Sequence, residues 1–473
     1  MMTDRVKKQT AAQIVWDVVY FVRPWLGPAF ILAVLAAVPV TLPMPLFLLR
    51  NGFFVFYASE LAVGAGLVAA AVMFIRKKYR LSPFLKYTLA ALAVFLVWYC
   101  AVTAVRIISG GTWSQSVLTL RTTALPLFVL LMMDMGLEKG RRCMLGLCMY
   151  NFFICAVQMG YAVFSEVRMS PFMGNLMVFT CAAVLLIPAN FFCLDLALRK
   201  RCPGVFAPVA LFNLFCVIFL PFMGGSRSAA MAAVMGVAIS FFIFLRREAV
   251  RKRALAVILI GVSVVFIFWV LNFGGKSEGG LYRVLPTPSQ VGKFIGYEGY
   301  YKLPGGDKYV RIGQSKQPGK PQSVNTINAT IREKKQSDFD RKFLWSESLE
   351  SIKRSPIIGE GTIYFGIDTS YGVSAQAAHN FILEHINAFG GVGFLLWLAI
   401  FAVPLRMILK SGGAKDKTGK WLEKRRIPKL CLMCSVLMMA VQSFFQPTMM
   451  IVSTVTLLWL VIASWKSVIT EQG

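Results

Sequence analysis

The run Tyr87-Thr-Leu-Ala-Ala-Leu-Ala-Val-Phe-Leu-Val-Trp-Tyr-Cys-Ala-Val-Thr-Ala-Val105 contains no charged residue and lies between the basic cluster 76–80 and Arg106. An apolar run of roughly 18 residues or more is long enough to cross a bilayer as a helix. Similar runs recur along the 473-residue chain, which is 57% hydrophobic and 15% charged. Soluble domains average about 45–50% apolar and about 25% charged residues. The sequence therefore predicts an all-α polytopic membrane protein.

The apolar runs predict about twelve transmembrane helices, an even number that leaves both termini in the cytoplasm. Pro43 and Pro45 in the first predicted helix, and Pro126 in the short fourth one, predict kinks. The predicted helices are 27–48, 52–75, 84–105, 122–137, 143–164, 175–197, 205–223, 228–245, 254–273, 386–408, 428–446 and 450–466.

The formal net charge of +28 comes from basic residues that cluster in short loops after alternate helices. Cytoplasmic loops of membrane proteins carry such an excess of Lys and Arg, so topology accounts for the charge and nucleic-acid binding is disfavoured. The ten cysteines lie in or beside apolar runs, which gives no sign of a disulfide framework. The basic, amphipathic segment 1–23 lacks the pattern of a cleavable signal peptide, so the first helix is expected to direct insertion.

One long polar segment divides the chain into helices one to nine (1–273), a large periplasmic loop (274–385) and helices ten to twelve (386–473). The first half of this loop is rich in Gly, Pro, Lys and Tyr. Its second half predicts an amphipathic helix on the outer membrane face, with helix-start residues at 337–340 and Pro356 at its end. The residues predicted to form its apolar face are Trp345, Leu349 and Ile352, and Gly359 and Gly361 predict a flexible turn after it.

The two histidines of the chain, His379 and His385, both lie where this loop returns to the membrane. Histidine exchanges a proton near neutral pH, so His379 is the candidate general base; the alternative is a structural histidine at the interface. His385 is interpreted as structural, since its neighbours already belong to the next helix. Asn380 is expected to cap that helix or to orient the imidazole, and Glu384 is a poor helical partner for His379.

Arginines supply the candidate anion-binding groups. Arg227 follows Ser226 and two glycines at the outer end of a helical hairpin, where a guanidinium either snorkels to the interface or binds an anionic group. Arg341 lies in the first turn of the amphipathic helix, and its alternative role is a solvated surface charge. Arg121 is a weaker candidate of the same kind. The sequence has no metal-binding or nucleotide-binding motif, so no cofactor and no metal are expected.

These motifs, in this order, resemble the O-antigen ligase and polymerase superfamily of bacterial envelope glycan transferases. The motifs that carry the resemblance are Gly225-Ser226-Arg227-Ser-Ala, Arg341-x-x-x-Trp345 followed by Pro356-x-x-Gly359-x-Gly361, and His379-Asn380-x-x-Leu383 with Gly390 seven residues later. The last of them is particularly similar to the ligase branch. The short third outer loop, 165–174, also favours a ligase, because the polymerases of this superfamily tend to have a long one. The insertion 275–329 matches no family pattern and leaves the acceptor open.

The resemblance implies a metal-independent, inverting glycosyltransferase of the bacterial inner membrane with a periplasmic active site. The donor would be a glycan on undecaprenyl diphosphate, and the acceptor a sugar of lipid A-core or another glycan. Arg227 and Arg341, with Arg121 as a further candidate, would bind the diphosphate, and His379 would activate the acceptor hydroxyl. Ser226, Asn380, Trp345, Gly359 and Gly361 would support them. Repeat-unit polymerisation, transfer to protein and transport of the lipid-linked glycan remain as alternatives.

Overall fold

The computed structural model describes residues 41–44, 54–57, 81–108, 140–164, 176–223, 227–273, 344–361, 364–369, 372–410, 423–445 and 452–471. Most of these residues are helical. The helices are α1 (Pro83–Ile108), α2 (Gly140–Phe164), α3 (Leu176–Leu185), α4 (Ile187–Leu198), α5 (Phe206–Met223), α6 (Arg227–Ile243), α7 (Glu248–Phe273), α8 (344–354), α9 (Phe381–Lys410), α10 (Glu423–Phe445) and α11 (Val452–Glu471).

Within the described residues, five helices are long and apolar enough to cross a membrane: α1, α2, α9, α10 and α11. Shorter apolar helices lie in α4, α5 and α6. The prediction of a helical, multi-pass membrane protein is therefore confirmed. The total of about twelve spans stays a prediction, because the predicted helix 122–137 and most of the first two lie outside the described residues.

Two short antiparallel hairpins were not predicted. β1 (Thr41–Met44) pairs with β2 (Phe54–Tyr57), so these residues are strand where the sequence predicted the first two membrane helices. Pro43 has no N–H to donate within a helix, which weakens helix formation at that point. The second hairpin, β3 (Tyr364–Thr369) with β4 (Gly372–Ala377), leads directly to the segment before α9.

The predicted sixth helix, 175–197, is two helices in the structure. α3 ends at Leu185 and α4 begins at Ile187, with Leu186 between them in a non-helical conformation. Pro188 lies in the first turn of α4. It cannot donate the hydrogen bond that a continuous helix needs there, and this explains the break.

The helices run in alternating directions between two ends of the bundle. At one end, Gly140 at the start of α2 donates its backbone N–H to the Glu471 carboxylate at the end of α11. At the same end, Lys429 in α10 donates to the Leu409 carbonyl of α9, at 2.6 Å. We call this the basic end, because the charged residues Arg141, Arg142, Lys410, Arg426 and Lys466 lie on the helix termini that meet there. This grouping is the one that the positive-inside pattern predicts.

Helices α6 and α10 pack side by side in antiparallel register. Ser240 Oγ of α6 lies 3.6 Å from Cys434 Sγ of α10, and a Cβ on Gly236 would meet Met438 Sδ at 2.9 Å. This register continues to the start of α6. The backbone of Arg227 therefore lies just beyond the level of Phe445, the last residue of α10. Arg227 is therefore at the end of the bundle opposite the basic end.

A break at Gly390 divides α9 into two parts. Gly390 has φ 72° and ψ 177°, which is not helical. The segment 356–361 fills the break: Gly391 donates its N–H to the Pro356 carbonyl at 2.8 Å, and Glu360 donates to the Asn387 carbonyl at 2.8 Å. An aromatic row crosses the break: His385 of the first part packs on Trp397 of the second part. Trp397 packs on Phe401, which packs on the fully buried Trp459 of α11. The end of the first part of α9 is thus held by the 356–361 segment and by the second part of the helix.

We expect Gly390→Ala to prevent correct folding. A Cβ at this position would overlap the Ile357 carbonyl, and its positive φ is unfavourable for any residue with a side chain. Gly160→Ala is the matched control, since a Cβ there meets nothing within 4 Å. Alanine in a helix is favoured over glycine by roughly 0.5–1 kcal/mol, so the control should be neutral or stabilising. Thermal unfolding of both purified variants in detergent checks this, and equal stability would contradict the role assigned to Gly390.

Candidate active site

His379 lies between the β3–β4 hairpin and α9, and its backbone is strained. Its φ is 54°, in the left-handed region, and its side chain is half-buried. Lys200, a second non-glycine residue with positive φ, follows α4 at a position where helices commonly end this way. His379 instead precedes a helix. Left-handed backbone at a non-glycine residue costs on the order of 1–2 kcal/mol, so the surrounding contacts must hold it.

Asn380 caps α9. Its Oδ1 accepts hydrogen bonds from the backbone N–H of Ile382, at 3.0 Å, and of Leu383, at 3.2 Å. These groups have no partner inside the helix, and an Asn cap satisfies them. The predicted capping role is confirmed, and it fixes the residue next to His379.

Trp345 holds the chain on the other side of His379. The indole Nε1 donates to the Ala378 carbonyl at 2.8 Å, so the peptide just before His379 is fixed by α8. The same indole packs edge-on against Phe444 near the end of α10, with ring centroids 6.2 Å apart. Trp345 thereby joins the His379 segment to the end of the bundle where α6 begins.

Glu384 and Asn387 form a buried polar pair one turn into α9. Both are 0% exposed, and their four side-chain oxygen and nitrogen atoms make no hydrogen bond of normal geometry with a described residue. The backbone N–H groups of His379 and Asn380 lie close to the Glu384 carboxylate. Buried polar and ionisable side chains are costly in membrane helices and mark candidate functional positions.

His385 is structural, as the sequence predicted. It is 1% exposed, and its Nδ1 lies 2.6 Å from the Phe381 carbonyl. Its ring packs against Trp397, with centroids 4.0 Å apart. It lies in the protein core formed by the described helices.

Of the three predicted arginines, Arg227 alone belongs to the residues that the structure describes. Arg227 is the first residue of α6, and the structure describes its backbone position. Arg341, Arg121 and Ser226 lie outside the described residues. Arg341 precedes Trp345 by four residues in the sequence. Its role stays a prediction.

The turn at Gly359 and Gly361 is hydrogen-bonded to the first part of α9, and the flexibility expected from sequence stays a prediction. Both residues have positive φ, at 68° and 79°, and Gly361 also donates its N–H to the Asn387 carbonyl at 3.0 Å. Arg354 pairs with Glu360 through two hydrogen bonds of 2.7 and 3.2 Å. The Arg354 guanidinium holds the pKa of the Glu360 carboxyl below its usual value.

α8 packs against the protein through residues other than those of the predicted apolar face, which the sequence places towards the membrane. Leu344, Ser348 and Ser351 are fully buried, whereas Leu349, which the sequence placed on the apolar face, is 50% exposed. The two small serines allow α8 to approach the protein closely, and Ser348 Oγ bonds to the Leu344 carbonyl within the helix. The exposed Leu349 is therefore available to the membrane rather than to the protein core.

Two residues near the site were not predicted from the sequence. Glu384 lies five residues after His379, on a different face of a helix, and its approach to backbone N–H groups depends on the capped geometry of Asn380. Arg106 marks the end of an apolar run in the sequence. In the structure its Nη2 donates to the Ile358 and Ala388 carbonyls. The signal in the sequence that could have identified Arg106 is its position as a basic residue directly after an apolar run.

Residues 212–398 match the family model described as O-antigen ligase. The match covers 187 of the 473 residues, so this region of the chain is similar to O-antigen ligases. It runs from α5 into α9 and includes Arg227, Arg341 and His379. It supports a membrane glycan-processing function of the ligase and polymerase type. A comparison with curated proteins gave no match.

We expect Trp345→Phe to slow glycan transfer while the ring still packs on Phe444. The variant loses the bond to the Ala378 carbonyl, which is worth about 0.5–1.5 kcal/mol, or roughly 2–12-fold if the loss falls on the transition state. Leu349→Ala on the same helix is the control, because that side chain is exposed. Initial rates of purified protein check this; equal rates for both variants would show that the indole does not hold the site.

Proposed function

We propose that this protein transfers a glycan from undecaprenyl diphosphate to a sugar hydroxyl of an acceptor at the periplasmic face of the inner membrane. O-antigen ligation to lipid A-core is the form that we favour. The observation that carries the proposal is the position of His379, the strained residue of the O-antigen ligase domain, at the end of the bundle where α6 starts with Arg227.

The contacts between helices support this arrangement. Trp345 binds the peptide before His379 and touches Phe444, and the end of α10 lies at the level of Arg227. Neighbouring packed helices are about 8–10 Å apart. A diphosphate with its first sugar can therefore reach both the start of α6 and the His379 segment. Arg341 would approach the same space from the start of α8.

His379 acts as the general base in this proposal. A ring nitrogen of the imidazole takes the proton from the acceptor hydroxyl, and the acceptor oxygen forms a new bond to the anomeric carbon of the donor. The bond from that carbon to the diphosphate oxygen breaks, and undecaprenyl diphosphate leaves with the electron pair. Attack opposite the leaving group inverts the anomeric centre.

The two arginines serve the leaving group. Guanidinium groups bind phosphate oxygens through paired hydrogen bonds and remain charged at all relevant pH values. Arg227 and Arg341 hold the diphosphate and stabilise the negative charge that develops on it. Because they supply this positive charge, the proposed reaction needs no metal.

Transfer by purified protein tests the function. The assay contains a defined undecaprenyl-diphosphate glycan, a panel of lipid A-core and glycan acceptors, and EDTA. Formation of a glycosylated lipid A-core supports ligation, and extension of the donor glycan alone supports polymerisation. Movement of lipid-linked glycan across vesicles without any transfer product would contradict the proposal and favour transport.

Envelope glycans of a deletion strain provide the second arm of this test. Unextended core with accumulated polymer on its lipid carrier indicates that the missing step is ligation. Core capped with single repeat units indicates a missing polymerase.

A further inference from the structure

Arg106, at the end of α1, binds two main-chain carbonyls that lie far away in sequence. Its Nη2 lies 2.7 Å from the Ile358 carbonyl and 2.6 Å from the Ala388 carbonyl. Arg106 lies outside the segment that matches the O-antigen ligase family model. It joins α1 to both the 356–361 segment and the first part of α9.

The break at Gly390 explains why these carbonyls need partners. In a continuous helix each carbonyl accepts from the N–H four residues later, and the break removes such bonds around it. Asn387 O instead accepts from the N–H groups of Glu360 and Gly361. Phe389 O accepts from Trp98 Nε1 of α1, at 3.3 Å. Arg106 donates to the Ala388 carbonyl. Of the carbonyls of residues 387, 388 and 389, the last two therefore accept hydrogen bonds from side chains of α1.

The guanidinium fits this position for reasons of charge and of space. The carbonyls at the end of a helix carry partial negative charge, which a cation stabilises. Space is available because residue 361 is glycine: a Cβ there would lie 2.7 Å from Cζ and 2.9 Å from Cδ of Arg106. The Arg106 side chain and Gly361 therefore depend on each other.

We propose that Arg106 is a positioning residue for the transfer reaction: it fixes the first part of α9 so that Asn380 and His379 keep their places. The inference rests on the proposed function, since it assigns His379 as the general base. Arg106 differs from Arg227 and Arg341 in its task, because it binds the protein backbone and does not bind the diphosphate. Loss of its contacts lets the half-helix that begins beside His379 shift.

Steady-state kinetics of purified Arg106→Gln and Arg106→Lys test this role. A displacement of about 1 Å at a reacting group can cost on the order of 100-fold in rate, so we expect kcat of Arg106→Gln to fall roughly 10–100-fold. The KM for the lipid-linked donor should stay within about twofold, because Arg106 does not touch it. Arg106→Lys should lie between, since it keeps the positive charge but carries it on a compact, strongly hydrated group at the end of a flexible stem.

The matched control is Arg354→Gln. Arg354 is also an arginine at this end of the protein, but it forms an exposed ion pair with Glu360. Exposed ion pairs contribute little, so its kcat should match that of the wild-type protein. Rates are expressed per folded molecule after size-exclusion chromatography. If Arg106 only stabilised the fold, the variants would yield less folded protein, but kcat of the folded molecules would be unchanged.

Two results would overturn the inference. Wild-type kcat in folded Arg106→Gln would show that the contacts do not position His379, and a raised donor KM with unchanged kcat would show that Arg106 binds the donor. If Arg106→Gln does not fold, Arg106→Lys decides by the same criteria. If the Arg106 variants retain wild-type kcat while His379→Ala is inactive, the positioning role of Arg106 is wrong and the proposed function stands. If His379→Ala is active, the proposed function itself is wrong.

Discussion

His379→Ala is expected to abolish detectable glycan transfer while the protein stays inserted and folded. Removal of a general base typically costs about 100–10,000-fold in rate, because the acceptor hydroxyl must then lose its proton without help. The side chain is half-buried, so its loss leaves no large cavity in the core. The measurement is the rate of product formation by purified variant at saturating donor.

The contrast with His385 gives this prediction its control. His385 is buried against Trp397, so its replacement by alanine should reduce thermal stability. His379→Ala should unfold at the temperature of the wild-type protein. Transfer at a near wild-type rate by His379→Ala would show that another group accepts the proton.

Arg227→Lys is expected to lose most activity although the positive charge is retained. Lysine is a point charge and cannot form the paired hydrogen bonds that a guanidinium makes to phosphate oxygens. Loss of one stabilising donor for a developing negative charge typically costs about 100–1,000-fold in kcat. Single-turnover rates with a defined lipid-linked donor measure this loss.

Arg246→Lys is the matched control for this substitution. Arg246 is exposed in the loop between α6 and α7, at the other end of α6 from Arg227. Its replacement should leave transfer unchanged. Full activity of Arg227→Lys would mean that a point charge suffices at the start of α6, and the diphosphate-binding role of the guanidinium would then be wrong.

Local signals predicted the features that depend on neighbouring residues. Apolar runs predicted α1, α2, α5, α6, α7, α9, α10 and α11, because the length of an uncharged apolar run alone decides whether it can cross a bilayer. The cap at Asn380 was predictable for the same reason, since a cap bonds to the next turn of its own helix.

Features that depend on distant contacts could not be predicted. The acceptors of Arg106 lie 252 and 282 positions away in sequence, and nothing near Arg106 identifies them. The break at Gly390 is stable because Pro356 and Glu360 supply the missing partners, and these belong to a different segment. Glycine alone in a helical run indicates lower helix stability, but not a break.

We propose that one imidazole and two guanidinium groups surround the diphosphate of the donor at the end of the bundle opposite the basic end. A structure of the full-length protein with bound undecaprenyl diphosphate, by electron cryo-microscopy, measures this directly. We predict that the guanidinium groups of Arg227 and Arg341 lie within about 3.2 Å of diphosphate oxygens, with the His379 imidazole facing the same space. A diphosphate bound at the basic end, or held by other residues with His379 turned away from it, would contradict the account.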